Sequence, residues 1–253
     1  MRGLKDKVVI VTGGAGGMGQ AICGRFVEEG AKVAIFDLSG ETASALQGRL
    51  GRDRVHVEAL DISDYDAVEA AVARTEQVLG SVDVLVNNAG WDRFQMFLDT
   101  EADFRRRVIA VNLEGPINMH HVVLKGMSAR GSGRVVTVAS DAGRVGSSGQ
   151  AVYSACKGGL IAFTKTMARE MVRKGVILNC VCPGPTDTPM LRAFLDEGER
   201  GKRVYEALKG AIPMRRLGEP EDIPGVVAFF ASDDAHFMTG QVVSVSGGLT
   251  MHG

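Results

Sequence analysis

Charge imbalance and paired cysteines are nearly absent from this sequence of 253 residues. Its 29 basic and 30 acidic side chains leave a net charge of −1, which gives no electrostatic field for holding nucleic acid or an anionic membrane. The 4 cysteines include no Cys-x-x-Cys pair, and the 5 histidines show no metal-ligand spacing. We therefore expect free thiols in a reducing compartment, no metal site and no nucleic-acid partner.

Long apolar runs are missing as well. No stretch approaches the roughly 18 apolar residues that a membrane-spanning helix needs. The apolar run at residues 8–11 is far shorter than the hydrophobic region of a secretion signal. These absences predict a cytoplasmic protein with no membrane partner.

Glycine is the residue that the sequence has in excess. The 33 glycines are close to twice the average share of about 7%, and they follow no collagen-like period. Because 45% of the residues are hydrophobic, the chain can bury a core and is not a disordered segment. A folded chain with this much glycine is expected to contain many tight turns or close backbone approaches.

Short β-branched runs alternate with longer helical patterns along the chain. This alternation is typical of βαβ units, and the nearly continuous apolar strands indicate a sheet that is covered on both faces. The sequence therefore predicts one α/β domain over residues 1–253, a doubly wound, seven-stranded parallel sheet of the Rossmann type with helices on both faces. The predicted strands are residues 8–12, 32–37, 55–59, 82–87, 134–140, 176–182 and 241–245. The predicted helices include residues 18–29, 64–79, 104–129, 152–172 and 220–231.

One long segment, residues 184–217, lacks a strand pattern between the sixth and seventh predicted strands. Ligands of open α/β sheets lie beyond the carboxyl ends of the strands, which is where this segment begins. We interpret it as a substrate lid. A variable surface excursion is the alternative.

A glycine-rich loop follows the first predicted strand and leads directly into a helix. Its sequence, TGGAGGMG at residues 12–19, lets backbone N–H groups approach a pyrophosphate. Asp37 ends the second predicted strand, where a carboxylate can accept hydrogen bonds from an adenosine ribose and repel a 2′-phosphate. The loop holds no lysine or arginine, so the pattern predicts NAD rather than NADP. A glycine turn with no ligand is the alternative interpretation.

Four polar residues match a proton-transfer site for an alcohol or a ketone. Tyr153 and Lys157 lie four residues apart on a predicted helix and therefore share one face. To act as a base at neutral pH, a tyrosine with a pKa of about 10 needs roughly 4 kcal/mol of stabilisation of its phenolate, which a neighbouring ammonium favours. We predict Tyr153 as the acid/base, Lys157 as its activator and ribose anchor, and Ser140 as the donor to the substrate oxygen. Asn112 would hold a water or position its helix. An exposed helical Tyr–Lys pair is the alternative.

These motifs resemble those of the short-chain dehydrogenase/reductase family over essentially the whole chain. The glycine loop, the NNAG run at residues 87–90, the PGPTDT run at residues 183–188 and the order of the four polar residues each match a family motif. The cofactor contacts that the resemblance implies are Thr12, Gly13, Gly17, Met18, Gly19, Asp37, Asp61, Ile62, Asn88, Ala89, Gly90, Tyr153, Lys157, Pro183, Gly184, Thr186 and Thr188. The resemblance also implies a homotetramer in which the helices at residues 104–129 and 152–172 pack across an interface.

Several stretches around these motifs resemble the branch of the family that oxidises ring-substituted 3-hydroxyacyl-CoA esters. We therefore expect oxidation of a cyclic or branched 3-hydroxyacyl-CoA, with Trp91, Ser140, Arg144 and Tyr153 as substrate contacts. Basic side chains in the lid would suit the phosphates of CoA, whereas their acidic neighbours make a solvated, mixed-charge helix the equal alternative. These lid cations are Arg192, Arg200, Lys202 and Arg203, and the acids among them are Asp196, Glu197 and Glu199.

Three other functions remain open at this point. A free cyclic or aryl alcohol is the second substrate class. Reduction of a 3-oxoacyl group on an acyl carrier protein is less favoured, because Asp37 argues against NADPH. A non-catalytic NAD sensor or scaffold is the alternative of a different class, since a fold does not determine a function.

Overall fold

One parallel sheet of seven strands organises the chain in the computed structural model, which describes residues 1–195 and 198–251, without the side chains at 194, 195 and 200. The strands are β1 (Val8–Thr12), β2 (Lys32–Asp37), β3 (Val55–Ala59), β4 (Val84–Asn87), β5 (Gly133–Val138), β6 (Val176–Pro183) and β7 (Val242–Val245). Their order across the sheet is β3-β2-β1-β4-β5-β6-β7. The predicted fold class is confirmed.

Ten α-helices connect or follow these strands in the described residues. They are α1 (Gly17–Glu28), α2 (Gly40–Leu50), α3 (Tyr65–Leu79), α4 (Ala102–Ile109), α5 (Gly115–Arg130), α6 (Ala142–Val145), α7 (Ala151–Met171), α8 (Pro189–Leu195), α9 (Glu199–Ala211) and α10 (Pro224–Ala231). None of these helices combines the length and the apolar character that are needed to cross a membrane.

The strand order reverses at β1, which pairs with β2 on one side and with β4 on the other. The chain leaves β1 toward β2 and β3, and it later returns to continue the sheet from β4 to β7. Such a reversal opens a crevice at the carboxyl ends of the strands, where open α/β sheets bind their ligands. The loops after β1, β2, β4, β5 and β6 therefore meet at one edge of the sheet.

The core consists of one apolar layer on each face of the sheet. Alternate residues of β1 belong to different layers, because successive side chains of a strand point to opposite faces: Val9 and Val11 to one, Val8 and Ile10 to the other. All five residues of β1 are buried. A strand that is covered on both faces reads as a continuous apolar run, which is why the sequence pattern predicted it.

Side-chain caps define the starts of two helices and are missing at a third. Ser39 Oγ accepts from the backbone N–H of Thr42 at the start of α2, and Asp64 caps α3 in the same way. The N-cap of α1 is Gly16, which has no side chain to make such a bond. The first backbone N–H groups of α1 are therefore open toward the crevice.

The helix predicted over residues 104–129 is wrong as one continuous helix. The structure has α4, a π-helical turn at Ala110–Glu114, and α5. The fifth strand also ends at Val138, two residues before Ser140, because the chain turns into α6 at that point. In the proposed lid, the described residues form α8 and α9.

Candidate active site

The glycine loop follows β1 so closely that two of its positions have no room for a side chain. Gly13 adopts a φ of +60°, and a Cβ there would lie 2.8 Å from the Cα of Ala89. A Cβ on Gly19 would collide with the carbonyl oxygen of Gly13 and would lie 2.8 Å from the Cα of Gly14. The absence of side chains at these positions leaves the loop's backbone accessible to a ligand at the N-terminus of α1.

Thr12 ties this loop to the end of β4. Its hydroxyl oxygen accepts hydrogen bonds from the backbone N–H groups of Asn88 and Ala89, at 3.0 and 3.1 Å. The Asn88 side chain donates in return to the carbonyl oxygens of Thr12 and Gly13. Thr12 is fully buried and does not line the cleft that lies beside this loop. Its side chain therefore positions the two loops and does not contact a ligand.

Asp37, at the end of β2, is held in place by two backbone N–H groups. Ala15 donates to one carboxylate oxygen at 2.9 Å, and Ser39 donates to the other at 3.0 Å. Each carboxylate oxygen can accept a further hydrogen bond, because it carries more than one lone pair. Asp37 can therefore accept hydrogen bonds from a ribose beside the glycine loop.

A cleft of about 510 Å³ runs along the carboxyl ends of the first strands. The predicted cofactor residues that line it are Gly13, Gly17, Met18, Gly19, Asp37, Asp61, Ile62, Asn88, Ala89, Gly90, Tyr153, Lys157 and Thr188. The glycine loop, the open N–H groups of α1 and the carboxylate of Asp37 fit a dinucleotide. We call this space the cofactor cleft.

A second cleft of about 640 Å³ lies beyond the ends of β5 and β6. The predicted site residues that line it are Met18, Ser140, Tyr153, Pro183, Gly184, Thr186 and Thr188. Of the predicted cofactor contacts, Pro183, Gly184 and Thr186 line this second cleft and not the cofactor cleft. Tyr153 lines both clefts, so its side chain lies where they join. We call this second space the acyl cleft.

Tyr153, Ser140 and Lys157 form one connected group at this junction. The Tyr153 hydroxyl is hydrogen-bonded to Ser140, whose own oxygen accepts from the backbone N–H of Ala142 at 3.1 Å. Lys157 is 2% exposed, its Nζ donates to the Val138 carbonyl at 3.1 Å, and it lies 5.5 Å from the centre of the Tyr153 ring. The helix α7 carries both Tyr153 and Lys157 on the face that looks into the site.

Burial sets the pKa values of this pair. It raises the pKa of the Tyr153 phenol above its usual value, although the hydrogen bond with Ser140 lowers it. Burial also lowers the pKa of Lys157 to about 8. The expectation that Lys157 depresses the tyrosine pKa is therefore wrong for the protein without cofactor, because desolvation disfavours both charged forms.

Asn112 lies behind the site, in the π-helical turn between α4 and α5. Its side-chain nitrogen donates to the carbonyl oxygens of Trp91 and Val108, at 2.6 and 2.8 Å, and its oxygen accepts from the Trp91 N–H at 3.2 Å. Asn112 is fully buried and lines neither cleft. The sequence suggested that Asn112 either holds a water or positions its helix, and these contacts fit the second role.

Comparison with known proteins identifies the family. A family model described as "Enoyl-(Acyl carrier protein) reductase" matches residues 13–250. The chain belongs to the short-chain dehydrogenase/reductase family. As a member, it is an oxidoreductase that acts on CH–OH groups with a nicotinamide cofactor.

The relatives of this short-chain dehydrogenase/reductase include enzymes named for acyl thioesters. An acetoacetyl-CoA reductase of Rhizobium meliloti is 42% identical over 244 residues, which are 96% of this chain and 98% of that protein. The 3-oxoacyl-[acyl-carrier-protein] reductase FabG of Vibrio harveyi is 37% identical and covers 98% of this chain and 99% of its own. A solved NAD⁺-bound xylitol dehydrogenase is 31% identical, with a TM-score of 0.92 over 98% of this chain and 100% of its own.

Two of the predicted substrate residues point away from the acyl cleft. Trp91 lines the cofactor cleft instead, with the Arg107 guanidinium 4.0 Å above its ring. Arg144 lines neither cleft, and its Nη1 donates to the Ser244 hydroxyl on β7 at 2.8 Å. The structure thus brings Ser140 and Tyr153 together but leaves Trp91 and Arg144 out of the acyl cleft.

Two of the lid cations have acidic partners. Arg192 pairs with Asp187 at 2.7 Å, and Lys202 pairs with Glu199 at 3.0 Å. Arg203 is exposed, and neither it nor the two paired cations lines the acyl cleft. The contacts favour a solvated, mixed-charge helix. The Arg200 side chain and the acids Asp196 and Glu197 lie outside the described residues.

Sequence reasoning missed Asp92 and Gln150, which both line the acyl cleft. Gln150 Nε2 donates to Asp92 Oδ2 at 3.0 Å. The sequence does carry a signal for Asp92, because this acidic residue directly follows the Asn-Ala-Gly-Trp run after β4. Its role could not be predicted, because its partner Gln150 lies 58 residues further along the chain.

Proposed function

We propose that this protein is an NAD-dependent dehydrogenase that oxidises the secondary alcohol of a cyclic or branched 3-hydroxyacyl-CoA, reversibly, to the ketone. The single observation that carries the proposal is the position of Tyr153, which lines the cofactor cleft and the acyl cleft together. A proton-transfer group is useful only where the hydride donor or acceptor meets the substrate.

We assign the proton on the substrate oxygen to the Tyr153 hydroxyl. Ser140 would donate a hydrogen bond to the same oxygen, and Lys157 would contact the ribose from the floor of the site. When bound, the oxidised nicotinamide supplies the hydride acceptor and a positive charge beside the phenol. Because burial raises the pKa of Tyr153, the protonated phenol is the resting form of the protein without cofactor.

NAD rather than NADP is the cofactor that the residues favour. Asp37 places a carboxylate beside the glycine loop, and a 2′-phosphate there would meet a like charge. Among the described residues that line the cofactor cleft, the cations are Lys157 and Arg107, and Arg107 lies over the Trp91 ring. A higher kcat/KM with NADPH than with NADH would contradict this assignment.

The acyl cleft suits an apolar ring or branched chain. Its apolar lining includes Phe94, Val145, Met190, Leu191, Leu208, Leu249 and Met251. Three of these residues belong to α8 and α9, which supports the proposal that residues 184–217 act as a substrate lid. Two of the relatives named above, the acetoacetyl-CoA reductase and FabG, are named for acyl thioesters, and 2-hydroxycyclohexanecarboxyl-CoA is the substrate that the sequence resemblance favours.

Reduction of a 3-oxoacyl group on an acyl carrier protein is the second candidate. The relative from Vibrio harveyi is named for that reaction, and it covers nearly the whole chain. Asp37 favours the NAD-linked alternative. Free cyclic or aryl secondary alcohols are the third substrate class, and one assay with all three classes separates them.

A cytoplasmic homotetramer is the assembly that we propose from the family resemblance. The helices α5 and α7 would pack across its interface. Sedimentation that shows a stable monomer would remove the tetramer from the proposal.

The deciding experiment measures reduction of NAD⁺ and of NADP⁺ with a panel of substrates. The panel contains 3-hydroxyacyl-CoA esters with linear and cyclic acyl groups, the matching free alcohols, and 3-oxoacyl carrier protein for the reverse direction. We expect the highest kcat/KM with NAD⁺ and a cyclic CoA ester. Turnover of the free alcohols alone would replace the acyl-CoA assignment, and no turnover with any member would refute the proposal.

A further inference from the structure

Two carboxylates line the acyl cleft. Asp92 and Asp141 both line it, and none of the lining side chains that the structure describes is a lysine or an arginine. Asp141 is buried, and its Oδ1 accepts a hydrogen bond from the Ser244 hydroxyl. The Arg144 guanidinium donates to the same Ser244 hydroxyl, so Asp141 has a cation close by. Asp92 is the lining acid that lacks such a contact in the described residues, and its charge would repel an anion in the acyl cleft.

Asp92 is fixed close to Tyr153. Burial raises the pKa of the Asp92 carboxyl, and the hydrogen bond that Gln150 donates to Asp92 Oδ2 at 3.0 Å lowers it. The three side chains of Asp92, Gln150 and Tyr153 line both the acyl cleft and a small cavity of about 10 Å³. The carboxylate is thus held by Gln150, the residue that directly precedes α7, and α7 carries Tyr153.

The carbonyl carbon of a 3-hydroxyacyl group lies two bonds from the carbon that is oxidised. Whatever binds with its hydroxyl at Tyr153 must therefore place its carboxyl end in the same cleft as Asp92. A thioester is neutral at that position, whereas a free hydroxy acid carries a carboxylate. Two like charges within several ångströms repel strongly in a partly buried site, which weakens the binding of the acid by about tenfold or more.

We propose that Asp92, held by Gln150, is a specificity-determining residue that lets the cleft accept a neutral thioester and reject the corresponding free 3-hydroxy acid. This inference rests on the proposed function and adds the charge state of the substrate to it. It also explains why the enzyme would need no cation in the cleft, since the phosphates of CoA would remain outside it.

The same carboxylate acts on the proton-transfer group. Burial is the largest cause of the raised pKa of Tyr153, and the negative charge of Asp92 raises this pKa further. The groups that face Tyr153 are Lys157 and Cys156 on α7, Cys182 on β6, Ser140 after β5 and Asp92 after β4. Removal of the Asp92 charge should therefore shift the alkaline activation of alcohol oxidation to lower pH.

Asp92→Asn tests the inference, because the amide keeps the size of the side chain and removes its charge. The assay compares kcat/KM for a 3-hydroxyacyl-CoA with kcat/KM for the free 3-hydroxy acid, both with NAD⁺. We expect the ratio of ester to acid to fall about tenfold or more, together with the shift in the pH profile. Asp103→Asn is the control, since Asp103 is an exposed acid on α4 that pairs with Arg106.

An ester-to-acid ratio in Asp92→Asn equal to that of the wild type would overturn the inference and leave the dehydrogenase proposal intact. Asp92→Ser provides the same comparison with a smaller neutral side chain if the amide variant does not fold. A wild-type enzyme that prefers the free acid contradicts the inference directly. Absence of turnover with every alcohol refutes the proposed function itself, and the inference falls with it.

Discussion

Replacement of Lys157 by methionine should make the protein without cofactor more stable and, at the same time, inactive. The ammonium is 2% exposed, and burial lowers its pKa from 10.5 to about 8. A fall of this size corresponds to about 3 kcal/mol of unfavourable charge burial at neutral pH. Methionine fills a similar volume without that penalty, but the Val138 carbonyl loses a hydrogen bond worth about 1 kcal/mol. We therefore expect a gain of about 2 kcal/mol in the free energy of unfolding.

The dependence on pH identifies the cause of this gain. Below pH 8 the lysine is charged in the folded and the unfolded chain, so the folded state carries the whole penalty. Between pH 8 and 10.5 the folded state releases its proton first, and the penalty decreases until it vanishes above 10.5. The advantage of Lys157→Met should therefore be largest near neutral pH and should shrink steadily in alkaline buffer.

Urea unfolding at several pH values, at one protein concentration and without cofactor, measures both effects. Lys165→Met is the matched control, because Lys165 lies exposed on the same helix. We expect its stability to remain near that of the wild type at every pH. A Lys157→Met protein that is less stable than the wild type at pH 7, or whose difference does not change with pH, would refute the reasoning.

Three further predictions address the cofactor loop, a buried histidine and the edge of the sheet. Gly19→Ala should weaken NADH binding at least about tenfold, because the new Cβ collides with Gly13; quenching of the single tryptophan, which lines the cofactor cleft, measures the affinity. Unchanged affinity would contradict the close approach. Burial lowers the pKa of His120 to about 4, so the unfolded chain takes up its proton first as the pH falls below 6.5, and the wild type loses stability there. His120→Asn should show a smaller acid loss in urea titrations, and parallel losses would contradict this. Arg144→Ala should change KM for a CoA ester less than about twofold, since Arg144 contacts Ser244, and a large rise in KM would return it to the substrate site.

The centre of the sheet was predictable because its strands are buried on both faces. The strands β1, β2 and β3 occur at the predicted bounds, since each is a short β-branched run between turn residues. The interruption of the helix at Ala110–Glu114 was not predictable in the same way. Nothing in the local periodicity marks a π-helical turn, and the structure shows it where Asn112 holds the backbone of Trp91.

The sequence predicted where the residues of the candidate site lie better than it predicted the directions in which their side chains point. Tyr153, Lys157 and Ser140 meet because a helical spacing and the carboxyl edge of a parallel sheet fix where they lie. Trp91 and Arg144 were placed in the acyl cleft from their neighbours in sequence, whereas the direction of each side chain depends on packing against Arg107 or Ser244. The catalytic roles themselves remain predictions.

The sequence does not show how deeply Tyr153 and Lys157 are buried. The spacing of Tyr153 and Lys157 suggested that the ammonium would lower the phenol pKa. In the folded protein burial raises the phenol pKa instead and lowers that of Lys157. The degree of desolvation follows from the tertiary structure and not from the interval between two residues.

Tyr153→Phe tests the central claim most directly, because it removes one hydroxyl from the junction of the two clefts. NAD⁺ reduction with a CoA ester and NADH affinity, read from the fluorescence of Trp91, are measured on the same preparation. We expect turnover to fall by about two to four orders of magnitude while the NADH affinity stays within about threefold of the wild type. Wild-type turnover in Tyr153→Phe would contradict the account.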